Sequence, residues 1–331
     1  MERFALAAAV VLGFALTAAL CSLFVPLRRV LERREQNQQP VQPEQPRPAP
    51  LRAPLWGGLC AAAGTVAAVG VGWLAACVGQ PELLGSEGRL MTRLLTALAG
   101  SLAFGAVGLA EDLARMRSPA ALGLRRDVRL LLEALAAAFV LLLLRAAGCL
   151  PRGLGVPGAG YVLLGSAVPF LWAVLMVALA ECARAAERDE GTVCGAAFVA
   201  MLALMMAEAG LGVPGLAVLP AALAGALVAL LLWAFPPARL GVGCCGSLLA
   251  AGAIGCIPLS LDMTSLTVPL ALPFWAAGGL LAAQLLGAKR TGKPLRCWVK
   301  KHKMSPETVF LCSFALSAVG YVLALALLRW C

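Results

Sequence analysis

The sequence predicts an all-α polytopic membrane protein of about ten transmembrane helices, on three observations. Hydrophobic residues fill 61% of the 331 positions and charged residues only 13%, which leaves more apolar surface than a soluble core can hide. Ala, Leu, Val and Gly dominate while β-strand formers are scarce, so the spans are expected to be helices that satisfy their own backbone hydrogen bonds in lipid, not strands of a barrel. The apolar residues gather in runs of about 16–24, mostly the length that crosses the hydrocarbon core.

In chain order the runs fall near 4–25, 55–78, 92–110, 128–147, 161–182, 193–211, 214–235, 246–261, 265–286 and 307–329. The first is too long for a signal-peptide core and lacks a cleavage site, so it is read as a span. The eighth is short, and the junctions at Leu211–Pro214 and Leu261–Ser265 are the least sharply marked. Residues 1–331 are taken as a single membrane domain, with a Pro/Gln-rich cytoplasmic loop at 27–54 whose tract QNQQPVQPEQPRPAP cannot build a core. No internal repeat supports a transporter built from repeated halves.

The net charge of +10 does not point to nucleic acid, because the cations sit in short loops between apolar runs, where anionic lipid headgroups and the positive-inside rule account for them. Alternate loops divide them 21 to 6. The richer side, from Arg28 to Arg52, Arg115 to Arg129, Arg184 to Arg239 and Lys289 to Lys303, is assigned to the cytoplasm. Both termini then face outward. Many of the twelve cysteines lie inside apolar runs and none forms a C-x-x-C pair, so they read as small buried residues and not as a disulfide framework or a zinc site.

Four cytoplasmic segments carry candidate chemistry. Glu111–Asp112 closes the third run, and paired carboxylates at a membrane surface either hold a hydrated Mg²⁺, act as a base, or simply end a solvated helix. Between the fifth and sixth runs, Glu181-Cys-Ala-Arg184-Ala-Ala-Glu187-Arg188-Asp189-Glu190 mixes carboxylates and arginines that bind metal and phosphate together or pair among themselves. In Pro236–Ser247 the glycines let backbone N–H groups approach a ligand, and a helix N-terminus near Ser247 favours an anion; a plain turn is the alternative. The last loop, Gly287–Glu307, holds seven cations suited to diphosphate or lipid phosphate, a number that positive-inside bias also produces. His302, the one histidine, is lysine-flanked and carries no catalytic argument.

Taken in order, these segments resemble the polyprenyl-phosphate sugar-1-phosphate transferase superfamily, most closely its phospho-N-acetylmuramoyl-pentapeptide transferases. Pro54-Leu-Trp-Gly57-Gly58 is similar to P-T-M-G-G, and Gly108-Leu-Ala-Glu111-Asp112-Leu-Ala-Arg115 to G-F-x-D-D-x-x-K. Gly123-Leu124 through Arg129-Leu-Leu-Leu-Glu133 is similar to G-L-S-x-x-x-K-L-L-L-Q. Pro237-Ala238 through Gly243-Cys244-Cys245-Gly246-Ser247-Leu248 is similar to P-A-x-x-F-M-G-D-x-G-S-L, and Thr291-Gly292-Lys293 to T-G-K.

The resemblance implies transfer of a phospho-sugar from a uridine diphosphate donor onto undecaprenyl phosphate, with Mg²⁺, at the cytoplasmic face of the cell membrane. It implies Glu111 and Asp112 as catalytic residues, Glu111, Asp112 and Glu190 as metal ligands, and Arg115, Arg129, Glu187 and Lys293 as substrate-binding residues. A homodimer stays open. The sequence departs from the pattern at Cys244, which stands where the family has an aspartate, and at Glu181 and Arg184, which stand where it has asparagines. Gly241 replaces an aromatic residue, and the triple-histidine motif of the last loop is missing. Two readings therefore remain: a divergent transferase, and a non-catalytic relative that binds polyprenyl phosphate or scaffolds envelope enzymes.

Overall fold

The computed structural model describes residues 2–38, 56–79, 89–117, 123–151, 153–156, 160–163, 165–186, 191–213, 215–235, 239–286 and 306–330. The helices are α1 (Glu2–Gln38), α2 (Gly57–Gly79), α3 (Arg89–Arg117), α4 (Arg126–Ala146), α5 (Ala167–Ala186) and α6 (Thr192–Gly210). They continue with α7 (Val218–Ala234), α8 (Gly243–Ser260), the single-turn α9 (Thr267–Leu270), α10 (Leu272–Leu286) and α11 (Pro306–Trp330). The chain is an all-α polytopic membrane protein. Among the described residues seven helices, α1, α2, α3, α5, α6, α8 and α11, contain a span long and apolar enough to cross a bilayer, and α7 is a shorter apolar helix. α4 matches them in length but carries Arg126, Asp127, Arg129, Glu133 and Arg145.

Each predicted run overlies a helix, with four corrections. α1 continues to Gln38, so the first part of the predicted 27–54 loop is helical, while residues 39–55 lie outside the described residues. α3 does not stop at 110 but runs to Arg117, which puts Glu111 and Asp112 inside the helix. The run 265–286 is broken into a 3-10 turn (Thr264–Leu266), α9 and α10, where Pro269 and Pro273 each withdraw a backbone donor. The run that was to begin at 161 begins at Ala167, because an antiparallel hairpin, β1 (Gly153–Val156) and β2 (Gly160–Leu163), precedes it.

The hairpin lies at the end of the bundle opposite the cluster described below, where the Tyr161 hydroxyl donates to Asp262 Oδ2 at 2.8 Å across the loop that follows α8. Partial burial and the Asp262 carboxylate push the Tyr161 phenol above its usual range, so the bond persists at neutral pH and is lost only as the phenol ionises in strong alkali. Tyr161 is half exposed. Tyr161→Phe is accordingly expected to cost only about 0.5–1 kcal/mol, read as a small shift in thermal unfolding in detergent.

At the centre stands α8, buried along its whole length and surrounded by α2, α3, α5 and α6. Its sequence, GCCGSLLAAGAIGCIPLS, is mostly small residues, which in lipid is what lets helix backbones approach and gain dispersion energy. α3 packs against it in the antiparallel sense: Gly108 meets Cys244, Gly105 meets Leu249, and Gly100 meets Cys256. A Cβ at Gly108 would collide with the Cys244 carbonyl oxygen, a backbone atom that cannot rotate away. Gly108→Ala is therefore expected to destabilise by about 1–3 kcal/mol through overpacking, measured as a lowered unfolding midpoint.

Candidate functional site

Asp112 lies one turn beyond Gly108 on the same face of α3, so the contact that brings α3 onto α8 also aims this carboxylate at the start of α8. Its Oδ1 accepts the N–H of Cys244 at 3.1 Å and its Oδ2 accepts the N–H of Cys245 at 2.9 Å. Gly243, with φ of 71°, turns the chain into the helix in a conformation that costs a side-chain-bearing residue dearly. The N-terminus expected near Ser247 is thus at Gly243, and the anion it binds is Asp112 itself, which satisfies two orphan donors and faces the positive end of the helix. α2 fixes the same turn from the other side, with Gly57 N–H bonded to Gly241 O and Gly58 N–H to Val242 O, at 3.2 and 2.9 Å.

Glu111, the neighbouring residue, points about 100° away around α3 and meets a different set of partners. Arg115, on the next turn of α3, bonds its Oε1 at 2.7 Å and lies 3.7 Å from Asp112 Oδ1. Arg129 of α4 places Nη1 3.7 Å from Glu111 Oε1, and its Nε lies 2.8 Å from Glu181 Oε1 and 4.0 Å from Glu133 Oε1. Glu181 of α5 also pairs through Oε2 with Arg184, one turn on. Three guanidiniums and four carboxylates from α3, α4 and α5 therefore form one charged network beside the start of α8, buried at Glu111, Asp112, Arg129 and Glu133 and partly exposed at Arg115, Glu181 and Arg184. Within it Glu111 Oε2, both Glu133 oxygens and Arg184 Nε have no hydrogen-bond partner among the described residues.

Of the residues expected from the sequence, Glu111, Asp112, Arg115 and Arg129 come together here, and Cys244 joins them through its backbone. Glu187, Glu190 and Lys293 lie outside the described residues. Glu181 and Arg184 entered the sequence reading only as part of the mixed-charge segment 181–190, and Glu133 only as the end of a motif; none of the three was given an individual role. Their signal was present as i,i+4 spacing from Arg129 to Glu133 and i,i+3 spacing from Glu181 to Arg184, the separations at which helical side chains meet.

The described residues do not fit a Mg²⁺ site. No three of His, Cys, Asp and Glu gather as ligands among them. Asp112 gives both oxygens to backbone amides, Glu111 gives one to Arg115, and Cys244 offers a thiol, a poor ligand for a hard cation.

Fold and network together define a polytopic membrane protein with a charged site at one end of its helices. Residues 94–262, just over half of the chain and the stretch that carries the whole network, match the family described as Glycosyl transferase family 4, and the chain belongs to that family. It is 30% identical over 212 residues to the phospho-N-acetylmuramoyl-pentapeptide-transferase of Synechococcus sp. (strain RCC307), covering 63% of this chain and 55% of that protein. It is 25% identical over 296 residues to the enzyme of the same name from Geobacillus kaustophilus (strain HTA426), covering 88% and 86% respectively. The chain thus spans about half the length of the first relative and most of the second.

Proposed function

We propose that the chain is a membrane glycosyl-1-phosphate transferase of cell-envelope synthesis. It moves a phospho-sugar, phospho-N-acetylmuramoyl-pentapeptide or a related group, from a uridine diphosphate donor to undecaprenyl phosphate. The observation that supports this best is the convergence of Glu111, Asp112, Arg115, Arg129 and the turn at Cys244, drawn from three separate motifs, on one end of the bundle. By the loop charges that end faces the cytoplasm.

In the reaction an oxygen of the lipid phosphate bonds to the sugar-bearing phosphorus while the bond to the bridging oxygen breaks, and uridine monophosphate leaves with the electron pair. Such a transfer asks the protein for positioning and for charge neutralisation more than for covalent chemistry. Arg115 and Arg129 supply fixed positive charge, Glu111 orients both guanidiniums, and Asp112 holds the α8 turn against them. The resemblance implies Mg²⁺ with Glu190 as a further ligand, and Glu187 and Lys293 on the substrate; no step is derived through the metal.

A second reading, a non-catalytic relative that binds polyprenyl phosphate, is favoured by the Cys244 thiol and by the commitment of both Asp112 oxygens to backbone amides. Purified protein incubated with undecaprenyl phosphate, Mg²⁺ and a panel of uridine diphosphate sugars separates the two. A lipid-linked product with matching uridine monophosphate release is expected; lipid binding without product for any donor would establish the second reading.

A further inference from the structure

We propose that Cys21 and Cys60 are an oxidisable thiol pair, a modification site at which an organic hydroperoxide ties α1 to the helix that holds the turn before α8. The inference does not rest on the transferase reading. α1 and α2 run antiparallel and meet along one line: Thr17 packs on Gly64, and Phe24 stacks on Trp56 with ring centroids 5.8 Å apart. Cys21 follows Thr17 by four residues and Cys60 precedes Gly64 by four, so the two cysteines face each other one helical turn along, between those contacts. Both side chains are buried, and the thiols lie within hydrogen-bonding reach of each other.

Backbone separation decides whether such a pair can close. A disulfide needs Cα atoms about 4.4–6.8 Å apart. A Cβ on Gly64 would lie 3.3 Å from the Thr17 Cα, and one further bond of about 1.5 Å puts the two Cα atoms under about 5 Å apart. One turn from the cysteines the helices are therefore inside that window, and the stack of Phe24 on Trp56 holds them together on the other side. Cys194 lies within electrostatic reach of Cys21, and Cys245 of Cys60, yet no three thiols gather as metal ligands among the described residues. Paired chemistry is what these cysteines offer.

In the reaction one thiol, as thiolate, attacks the hydroperoxide, whose O–O bond breaks to release an alcohol and leave a sulfenic acid. The second sulfur then attacks the first, the S–S bond forms and the sulfenic oxygen leaves as water. Both thiol hydrogens end in the alcohol and the water, and the two electrons given up by sulfur reduce the peroxide. α1 packs mainly on α2 and α7 and little of its apolar span is buried, so the route to the pair is through lipid, into which an organic hydroperoxide partitions. The consequence reaches the site through α2. Cys60 lies on its first turn, beside the Gly57 and Gly58 N–H groups that bond Gly241 O and Val242 O ahead of the amides bound to Asp112.

The test treats the folded full chain in detergent with cumene hydroperoxide, blocks remaining thiols with N-ethylmaleimide and digests with trypsin without reductant. Cleavage after Arg3, Arg28, Arg52 and Arg89 leaves Cys21 in one peptide and Cys60 with Cys77 in another. The expected main cross-link joins these two peptides, and its fragmentation places the bond at Cys60. The linkage is expected to vanish in Cys60→Ala, to persist in Cys77→Ala, and to give way to mixed pairs when the chain is unfolded in sodium dodecyl sulfate before oxidation.

Recovery of Cys21 and Cys60 both carrying the maleimide, a bond at Cys77, sulfinic acid without linkage, or equal yield from the unfolded chain overturns the proposal. Fragmentation of the wild-type product decides the position of the bond even where Cys60→Ala fails to fold. Amide exchange at Gly57 and Gly58 is expected to slow by about threefold or more in the oxidised chain, and unchanged exchange would overturn the link to the turn.

Discussion

Replacing Arg129 with methionine is expected to destabilise the protein by about 3–5 kcal/mol, the cost of leaving buried charge without its partner. The methionine fills a similar volume, so the loss is electrostatic. Arg129 stands between Glu111, Glu133 and Glu181, at 3.7, 4.0 and 2.8 Å, and these acids come from three helices that meet through it. Without the guanidinium the carboxylates face one another in a region shielded from water, and either repel or take up protons. Thermal unfolding in detergent should show the full drop for Arg129→Met and a smaller one for Arg129→Lys, which keeps the charge but loses the planar fork. Pairing Arg129→Met with Glu181→Gln should recover part of the loss, because one of the stranded charges is removed. An Arg129→Met protein that unfolds with the wild type would show that the network carries no stability.

Much of this was legible in the sequence, because hydropathy over twenty residues is a coarse and robust signal. Most apolar runs coincide with one helix, the run 265–286 being split and the run from 161 opening on a strand, and small residues in GCCGSLLAAGAIGCIPLS marked the helix that is buried along its whole length. What the sequence misplaced was set by contacts that hydropathy does not record. α3 continues past residue 110 because Arg115 pairs back onto Glu111, so charge that looked like a helix end is held inside the helix. The hairpin strands GLGV and GYVL are four residues each and glycine-bearing, too short for a period of two to stand out. In the site, the sequence carried the motifs of Glu111, Asp112, Arg115 and Arg129 but not the division of labour among them. Only the 100° step between successive helical residues sends Glu111 toward Arg129 and Asp112 toward α8. Arg184, which looked like part of a mixed-charge loop, belongs to the last turn of α5, and that placement is what gives it Glu181 as a partner.

The division of labour makes Asp112→Ala the second large effect, with a signature different from that of Arg129. Alanine strands the amides of Cys244 and Cys245 at the buried start of α8, and each unsatisfied donor costs about 1–3 kcal/mol, or about 2–6 kcal/mol together. Asp112→Asn keeps one acceptor oxygen but turns an NH₂ group toward the other amide, so it should lose less than alanine and more than nothing. The damage should be local, because Gly57 and Gly58 still hold the turn through Gly241 and Val242 and Gly108 still packs on Cys244. Hydrogen exchange is therefore expected to accelerate at Cys244 and Cys245 while the amides of α6 and α7 stay protected. The asparagine variant also separates two roles for this acid. If Asp112 only moves protons, Asp112→Asn abolishes product and leaves stability and exchange at wild-type values. If it positions α8, as its two hydrogen bonds require, product, stability and protection fall together, and an unchanged exchange rate in the alanine variant would remove Asp112 from the structural account altogether.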